Sequence, residues 1–185
     1  MYRVRMPRPV LLPSLIPTTL GKDRAIDEPL ATPIGVLDIT CVSMGNPHAV
    51  VFHDEVDNLD LDVVGSAIET HPAFPRRTNV EFVQLVSPRK ACVRVWERGC
   101  GETMACGSGA CAVAVASKLV GRGEEKMEIV LMGGSLFIEW AGGDEPVFMT
   151  GTAHRSFSGK IDTGDLNATS TQNRRSATLP VCRDR

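Results

Sequence analysis

Apolar and polar residues alternate along most of the chain between residues 34 and 157, in runs typical of β-strands. The pattern predicts roughly seven strands separated by turn-forming residues. They lie in the segments IGVLDITCVSMG, HAVVFHD, NVEFVQLVS, ACVRVWE, MEIVLMGG, SLFIEW and PVFMTGTAHRSF. A helix is predicted in LDLDVVGSAIETHP, because Leu61, Val64 and Ile68 recur at helical spacing before Pro72.

A second helix is predicted over residues 107–120, where small and apolar residues run almost without charge and only Lys118 interrupts them. A helix that is apolar on every face has to be enclosed by protein. Many strands follow one another directly, so the pattern favours an α+β domain. The simplest enclosure is a mixed or antiparallel sheet curved around this central helix.

The ends of the chain have a different character. Residues 1–33 are rich in proline and weakly patterned, so we expect a linker or the remainder of a preceding domain. Residues 34–160 form the predicted folded domain. Residues 161–185 are polar, poor in aliphatic side chains and without periodicity, and we expect them to be disordered.

Composition excludes several classes of partner. The chain has a net charge of -2, which offers no basic field for nucleic acid or for an anionic membrane surface. Its longest nearly uncharged apolar run, ACAVAVASKLV, is too short to span a bilayer. We therefore expect neither a nucleic-acid nor a membrane partner.

The chain has six cysteines, which we interpret as reduced thiols of a cytoplasmic protein. Prolines 9, 13 and 17 interrupt the apolar patch near the N-terminus, which argues against a signal peptide. There is no Cys-x-x-Cys pair, and no histidine lies at ligand spacing from the cysteine cluster, so no metal site is expected.

The segment WERGCGETMACGSGACA contains the strongest candidate chemistry. Cys106 precedes the second helix, and a helix N-terminus favours a thiolate, which predicts a lowered pKa for this cysteine. Gly107, Ser108 and the following glycine leave the first backbone amides open to a carboxylate. Glu97 is suited to an ammonium group and Arg98 to a second carboxylate, which a guanidinium binds through two hydrogen bonds.

Each of these features also has a simpler interpretation. A cysteine beside glycines is often a packing residue, and a Gly-x-Gly turn before a helix often serves close packing. Glu97 and Arg98 are also compatible with a solvated strand end. Spacing alone leaves the two interpretations open.

The same segment closely resembles the second cysteine motif of diaminopimelate epimerases, a family of cofactor-independent amino-acid epimerases. MGNPHAVVF, HPAFPRRTNVEFVQ and MTGTAHRSFSG resemble further family motifs in the same order, so the resemblance covers about residues 34–160. It implies an isomerase of lysine biosynthesis that interconverts LL- and meso-diaminopimelate with two cysteines and no cofactor. It also implies that this chain is one of the family's two similar domains.

The resemblance implies a role for each matching residue. Cys106 is one of the two proton-transfer thiols, and Gly107 and Ser108 bind the substrate α-carboxylate through their amides. Glu97 binds the α-ammonium and orients the thiol. Arg98 binds the distal carboxylate. The matches that complete the site are Asn46 and Asn79, which assist Arg98, and His48, which assists proton transfer at the partner cysteine. A turn role is the alternative for both Asn46 and His48.

The chain departs from the family in one respect: the Cys-Gly-x-Gly motif occurs once, and its second copy is absent. Cys111 points to another face of the helix, and the other cysteines carry no motif.

Three interpretations are open. The chain is a truncated epimerase, a domain completed by another chain or as a homodimer, or a non-catalytic remnant that binds amino acids or a protein. Another isomerase of the superfamily, such as a proline racemase or a phenazine-pathway isomerase, is a further alternative.

Overall fold

The computed structural model describes residues 1–160, and its helices and strands all lie within the contact unit Met1–Ala153. The expected disorder of 161–185 falls outside the described residues. Within them the chain forms ten strands and two α-helices. In chain order they are β1 (Tyr2–Arg5), β2 (Glu28–Thr32), β3 (Gly35–Ser43), β4 (Pro47–Phe52), α1 (Leu61–Glu69), β5 (Asn79–Ser87), β6 (Lys90–Glu97), β7 (Gly101–Thr103), α2 (Gly107–Leu119), β8 (Lys126–Leu131), β9 (Gly134–Glu139) and β10 (Phe148–Gly151).

All ten strands belong to one mixed sheet with the order β1-β10-β9-β8-β6-β5-β4-β3-β2, and β7 pairs with β6. Two neighbouring pairs are parallel, β4 with β5 and β6 with β8. A parallel pair needs a crossover connection, and the two helices provide it: α1 joins β4 to β5, and α2 lies in the connection between β6 and β8. The predicted α+β class with a mixed sheet is confirmed.

Helix α2 is the enclosed element that the sequence predicted. Its residues from Gly109 to Ser117 are all buried, and the helix packs against β3, β4, β5, β8 and β9. The side chains around it form the larger hydrophobic core, with Val50 and Val95 from the central strands among them. Lys118 ends the buried run, and its ammonium group donates to the backbone carbonyls of Trp140 and Ala141.

Helix α1 packs with a second core that uses the alternate residues of the same strands. On β5, Val80 and Phe82 belong to this second core, whereas Val83 belongs to the core around α2. Because successive side chains of a strand point to opposite faces, the two helices lie on opposite faces of the sheet. Gly65 permits a close approach on the α1 face, since a Cβ there would lie 2.8 Å from the Trp96 ring.

The first 33 residues contribute to the sheet, although no strand was predicted in them. β1 pairs with β10, and β2 pairs with β3. That these residues also belonged to a preceding domain stays a prediction. No helix in the described part of the chain is both long enough and apolar enough to cross a membrane.

Candidate active site

The predicted site residues gather at one end of the sheet, where β4 and β5 begin and β6 ends. The parallel register pairs His48 with Asn79, and the next antiparallel pair joins Val80 to Trp96, one residue before Glu97. His48 and Asn79 alternate with residues of the α1 core, and Glu97 has the same parity as Val95 of the α2 core. All three side chains therefore point to the face that α2 covers.

Cys106 is the N-cap residue of α2. Its carbonyl accepts the first intrahelical hydrogen bond, from Ala110, and its Sγ accepts one from the Gly109 amide at 3.4 Å. The hydroxyl of Ser108 is also 3.4 Å from Sγ. The amides of Gly107 and Ser108 precede the first intrahelical bond and have no acceptor within the helix. They therefore remain able to bind an anion beside the thiol.

The predicted lowering of the Cys106 pKa is wrong. The residue is only 7% exposed and lies at the edge of the core around α2. Burial raises the pKa of its thiol, and the negative charges of Glu81 and Glu97 raise it further, against the opposing hydrogen bonds of Ser108 and Gly109. The helix terminus favours the thiolate, but desolvation and two carboxylates outweigh it, so the free protein holds Cys106 as a thiol.

Glu97 is held by a residue for which no site role was predicted. Thr103 lies on β7, and its hydroxyl donates to Glu97 Oε1 at 2.6 Å. Glu97 is half-buried at the end of β6. One carboxylate oxygen is thereby fixed within the protein, while the other has no hydrogen bond within residues 1–160.

Arg98 and Asn79 are linked through the backbone. The Arg98 amide donates to Asn79 Oδ1 at 2.8 Å, and the exposed guanidinium donates to the Arg76 carbonyl at 3.1 Å. Asn46 Oδ1 contacts His48 Nε2 at 3.0 Å. Because each asparagine uses its oxygen within the protein, the amide hydrogens are the groups left to donate to a carboxylate.

His48 is fully buried and lies on β4. Its Nδ1 lies 2.7 Å from Oε1 of Glu81, a residue that the sequence analysis did not single out. Glu81 is itself fully buried on β5. The available signal was an acidic residue at a core-facing position of an otherwise apolar strand, in NVEFV.

Among the described residues, no other cysteine is an N-cap residue. Cys111 is buried inside α2, Cys41 is buried in the core of the α1 face, and Cys100 is exposed in the turn between β6 and β7. Two other histidines have local structural roles: Nδ1 of His53 and of His71 each accepts a hydrogen bond from a nearby backbone amide.

Residues 40–156 match the family model described as diaminopimelate epimerase. The chain belongs to the diaminopimelate epimerase family. It is 48% identical over 162 residues to the diaminopimelate epimerase of Synechocystis sp., and 51% identical over 164 residues to that of Carboxydothermus hydrogenoformans. Each match covers 86% of this chain and 58% of the relative. The chain thus spans less than two thirds of the length of these family members.

Solved structures agree on the fold. A probable proline racemase from Agrobacterium radiobacter K84 superposes with a TM-score of 0.55 at 13% identity, covering 88% of this chain and 54% of that one. A hydroxyproline epimerase from Agrobacterium vitis gives 0.53 at 14% identity, covering 80% and 48%. At such identities the likeness shows the α+β fold and nothing about substrate.

Proposed function

We propose that this chain supplies one half of a two-thiol site that epimerises diaminopimelate, with Cys106 as one of the two thiols. The observation that supports this most strongly is the position of Cys106 at the N-terminus of α2, where unpaired backbone amides and Glu97 lie beside it. Family membership of the matched region supports the same reaction.

The proposed binding mode assigns each charged group of the substrate to a group of opposite charge. The amides of Gly107 and Ser108 bind the α-carboxylate, and the free oxygen of Glu97 binds the α-ammonium. Arg98 binds the distal carboxylate together with the amide hydrogens of Asn46 and Asn79. A substrate with a charged distal end uses these last three residues, whereas proline would leave them without a partner.

The proposed chemistry is proton exchange at the α-carbon through two thiols. The second cysteine, as thiolate, takes the α-proton from one face, and Cys106 gives its own proton to the opposite face. The C–H bond lost on one side is replaced by one on the other, which leaves Cys106 as thiolate and the second cysteine as thiol. The raised pKa of Cys106 suits this role, since a thiol must enter the step protonated to deliver a proton.

The carbanion that forms between the two steps needs stabilisation without a cofactor. The backbone amides at the start of α2 are fixed before the substrate binds, and they point toward the carboxylate on which negative charge develops. His48 was predicted to assist proton transfer at the partner cysteine. Its contact with Glu81, which borders Gly109 of α2, supports instead an action on the Cys106 side.

We propose that the second thiol comes from sequence outside the matched region, either in the same polypeptide or in a partner chain. No other cysteine of the described residues lies at a helix N-terminus. A cytoplasmic location, in which Cys106 and the exposed Cys100 remain reduced, is part of this proposal.

The test is deuterium incorporation at the α-carbon of diaminopimelate in heavy water. We expect the chain alone to exchange no faster than buffer. A fusion that adds, in natural order, the part of the Carboxydothermus relative outside the match should exchange rapidly, and Cys106→Ser in this fusion should abolish exchange. Full activity of the chain alone would contradict the half-site proposal.

A second readout separates catalysis from binding. Diaminopimelate should protect Cys106 from alkylation by iodoacetamide, measured by mass spectrometry of its peptide, while the exposed Cys100 remains unprotected. Protection without exchange in the fusion would indicate an amino-acid-binding protein instead of an enzyme.

A further inference from the structure

Glu81 occupies an unusual position for a carboxylate. It is the third residue of β5, paired with Val50 on one side and Val95 on the other, and its side chain is fully buried on the face that α2 covers. Both valines belong to the hydrophobic core around α2. A carboxylate placed among such neighbours loses its hydration, which is costly unless the protein replaces it.

The protein replaces that hydration only in part. Oε1 of Glu81 contacts His48 Nδ1 at 2.7 Å, whereas Oε2 has no hydrogen-bond partner among residues 1–160. An unpaired buried oxygen is unfavourable for folding, and an apolar residue at this position would avoid it. Stability alone therefore does not explain a glutamate at position 81.

Both ring nitrogens of His48 lie beside an oxygen. Nε2 faces the oxygen of Asn46 and Nδ1 faces the oxygen of Glu81, so this geometry allows both nitrogens to donate. A ring that donates from both nitrogens is an imidazolium, whose charge a neighbouring carboxylate balances. The 2.7 Å distance is typical of such a charge-assisted hydrogen bond.

Glu81 also borders the start of α2. A Cβ built on Gly109 would lie 2.6 Å from Glu81 Oε1 and 3.3 Å from Cys106 Sγ, so the carboxylate and the thiol border the same small space. A glycine at position 109 leaves this space open. The acidic groups that face Cys106 are Glu81 from β5 and Glu97 from β6, with the thiol of Cys111 behind it in α2.

We propose that Glu81 is a positioning residue of the half-site: its carboxylate holds His48 as a double donor and opposes a second negative charge at Cys106. As a result, Cys106 enters the reaction as a thiol. The part that concerns epimerisation rests on the proposed function, whereas the coupling between Glu81, His48 and Cys106 is a property of the chain itself. The charge of Glu81 is among the causes of the raised Cys106 pKa, after burial.

The experiment measures the rate of Cys106 alkylation by iodoacetamide from neutral to alkaline pH, read on the Cys106 peptide of the full chain. Glu81→Gln keeps the shape and removes the charge, so alkylation at neutral pH should become several-fold faster and its pH midpoint should fall. His48→Gln removes the balancing cation, so alkylation should become slower. Opposite directions in the two variants are the result expected.

Glu69→Gln is the matched control, because Glu69 is also a buried carboxylate but belongs to α1 on the opposite face of the sheet. Glu69→Gln should leave the rate of Cys106 alkylation and its pH midpoint unchanged. An equal shift in Glu69→Gln, or changes in the same direction in the Glu81 and His48 variants, would overturn the proposal. If Glu81→Gln does not fold, His48→Gln still decides, since unchanged or faster alkylation would also overturn it.

A second measurement reads His48 directly. In ¹⁵N NMR spectra the His48 ring should show two protonated nitrogens in the wild-type chain; a ring with a single protonated nitrogen would overturn the proposal. Neither readout needs epimerase activity. If diaminopimelate fails to protect Cys106 while both shifts occur, the proposed function fails and the coupling stands.

Discussion

The hydroxyl of Thr103 and the carboxylate of Glu97 form a 2.6 Å hydrogen bond across the short pair of strands β6 and β7. The antiparallel register places Thr103 opposite Val95, two residues before Glu97 and on the same face of β6. The bond therefore fixes one carboxylate oxygen of Glu97, whose charge acts on Cys106. This contact makes Thr103 part of the support for the proposed ammonium site.

Replacing Thr103 by Val keeps the β-branched shape and removes the donor. A hydrogen bond to a charged group contributes about 1.5 kcal/mol, so about tenfold more diaminopimelate should be needed to protect Cys106 from alkylation. Thr103→Ser retains the hydroxyl and should behave like the wild-type chain. Equal protection in the Val and Ser variants would mean that Glu97 does not depend on this bond.

Glu69 is predicted to stabilise the opposite face of the sheet. Its Oε2 accepts from the Trp96 indole at 2.7 Å, and its Oε1 accepts from the Gly99 amide at 2.9 Å. Glu69→Ala leaves two donors without an acceptor, so the free energy of unfolding in urea should fall by about 2–4 kcal/mol. Arg77→Gln, which removes only an exposed ion-pair partner of Glu69, should change it by less than about 1 kcal/mol. Similar losses in the two variants would contradict this assignment.

Alkaline pH should destabilise the chain through two buried thiols. Burial raises the pKa of Cys41 and of Cys111 from 9.0 to about 12. Between these values the folded chain keeps protons that the unfolded chain releases, so stability is complete below pH 9 and falls from pH 9 toward 12. The slope is roughly 1.4 kcal/mol per pH unit for each thiol.

Urea unfolding at a series of alkaline pH values measures this slope. Cys41→Ala and Cys111→Ala should each make it shallower than in the wild-type chain, and the double variant should lose both contributions. Identical slopes in all four proteins would show that these thiols do not cause the alkaline loss of stability.

The sequence predicts those elements whose own residues determine them. β4, β5 and β6 alternate clearly, and the uncharged run of α2 requires enclosure, so all four were found. β1 has four exposed residues and pairs with β10, which lies near the other end of the described residues, whereas β2 pairs with the adjacent β3 but contains Pro29, which is unfavourable inside a strand. Local patterns carry no information about the first pairing, and the proline obscures the second strand, which explains why these two strands were missed.

The site likewise has features that the local sequence predicts and others that only the fold determines. Motif resemblance located the residues that surround Cys106, but the direction of its pKa shift depends on burial and on two carboxylates brought close by the fold. Glu81 was overlooked because its importance comes from the face of β5 on which it lies and from its contact with His48. Alternation along the strand indicates the face, but the spacing of residues does not reveal the contact.

Gly109→Ala should destabilise the chain even though alanine is the better helix former. The new Cβ would lie 2.6 Å from Glu81 Oε1, and this carboxylate is buried and held by His48, so it has little room to move. The overlap should cost about 1–3 kcal/mol in urea unfolding, more than the gain of about 1 kcal/mol in helix propensity. Gly107→Ala on the same turn is the control, because its nearest neighbour is the flexible side chain of Met149 at 3.3 Å.

A double-mutant cycle identifies the cause of the expected loss. In a Glu81→Ala background the carboxylate is gone, so adding Gly109→Ala should be neutral or stabilising. The coupling energy between the two positions should then be comparable to the full penalty of the single Gly109 variant. A penalty of the same size in both backgrounds would mean that Gly109 is required by the helix or by Cys106, and that the space shared by Glu81 and the thiol does not depend on it.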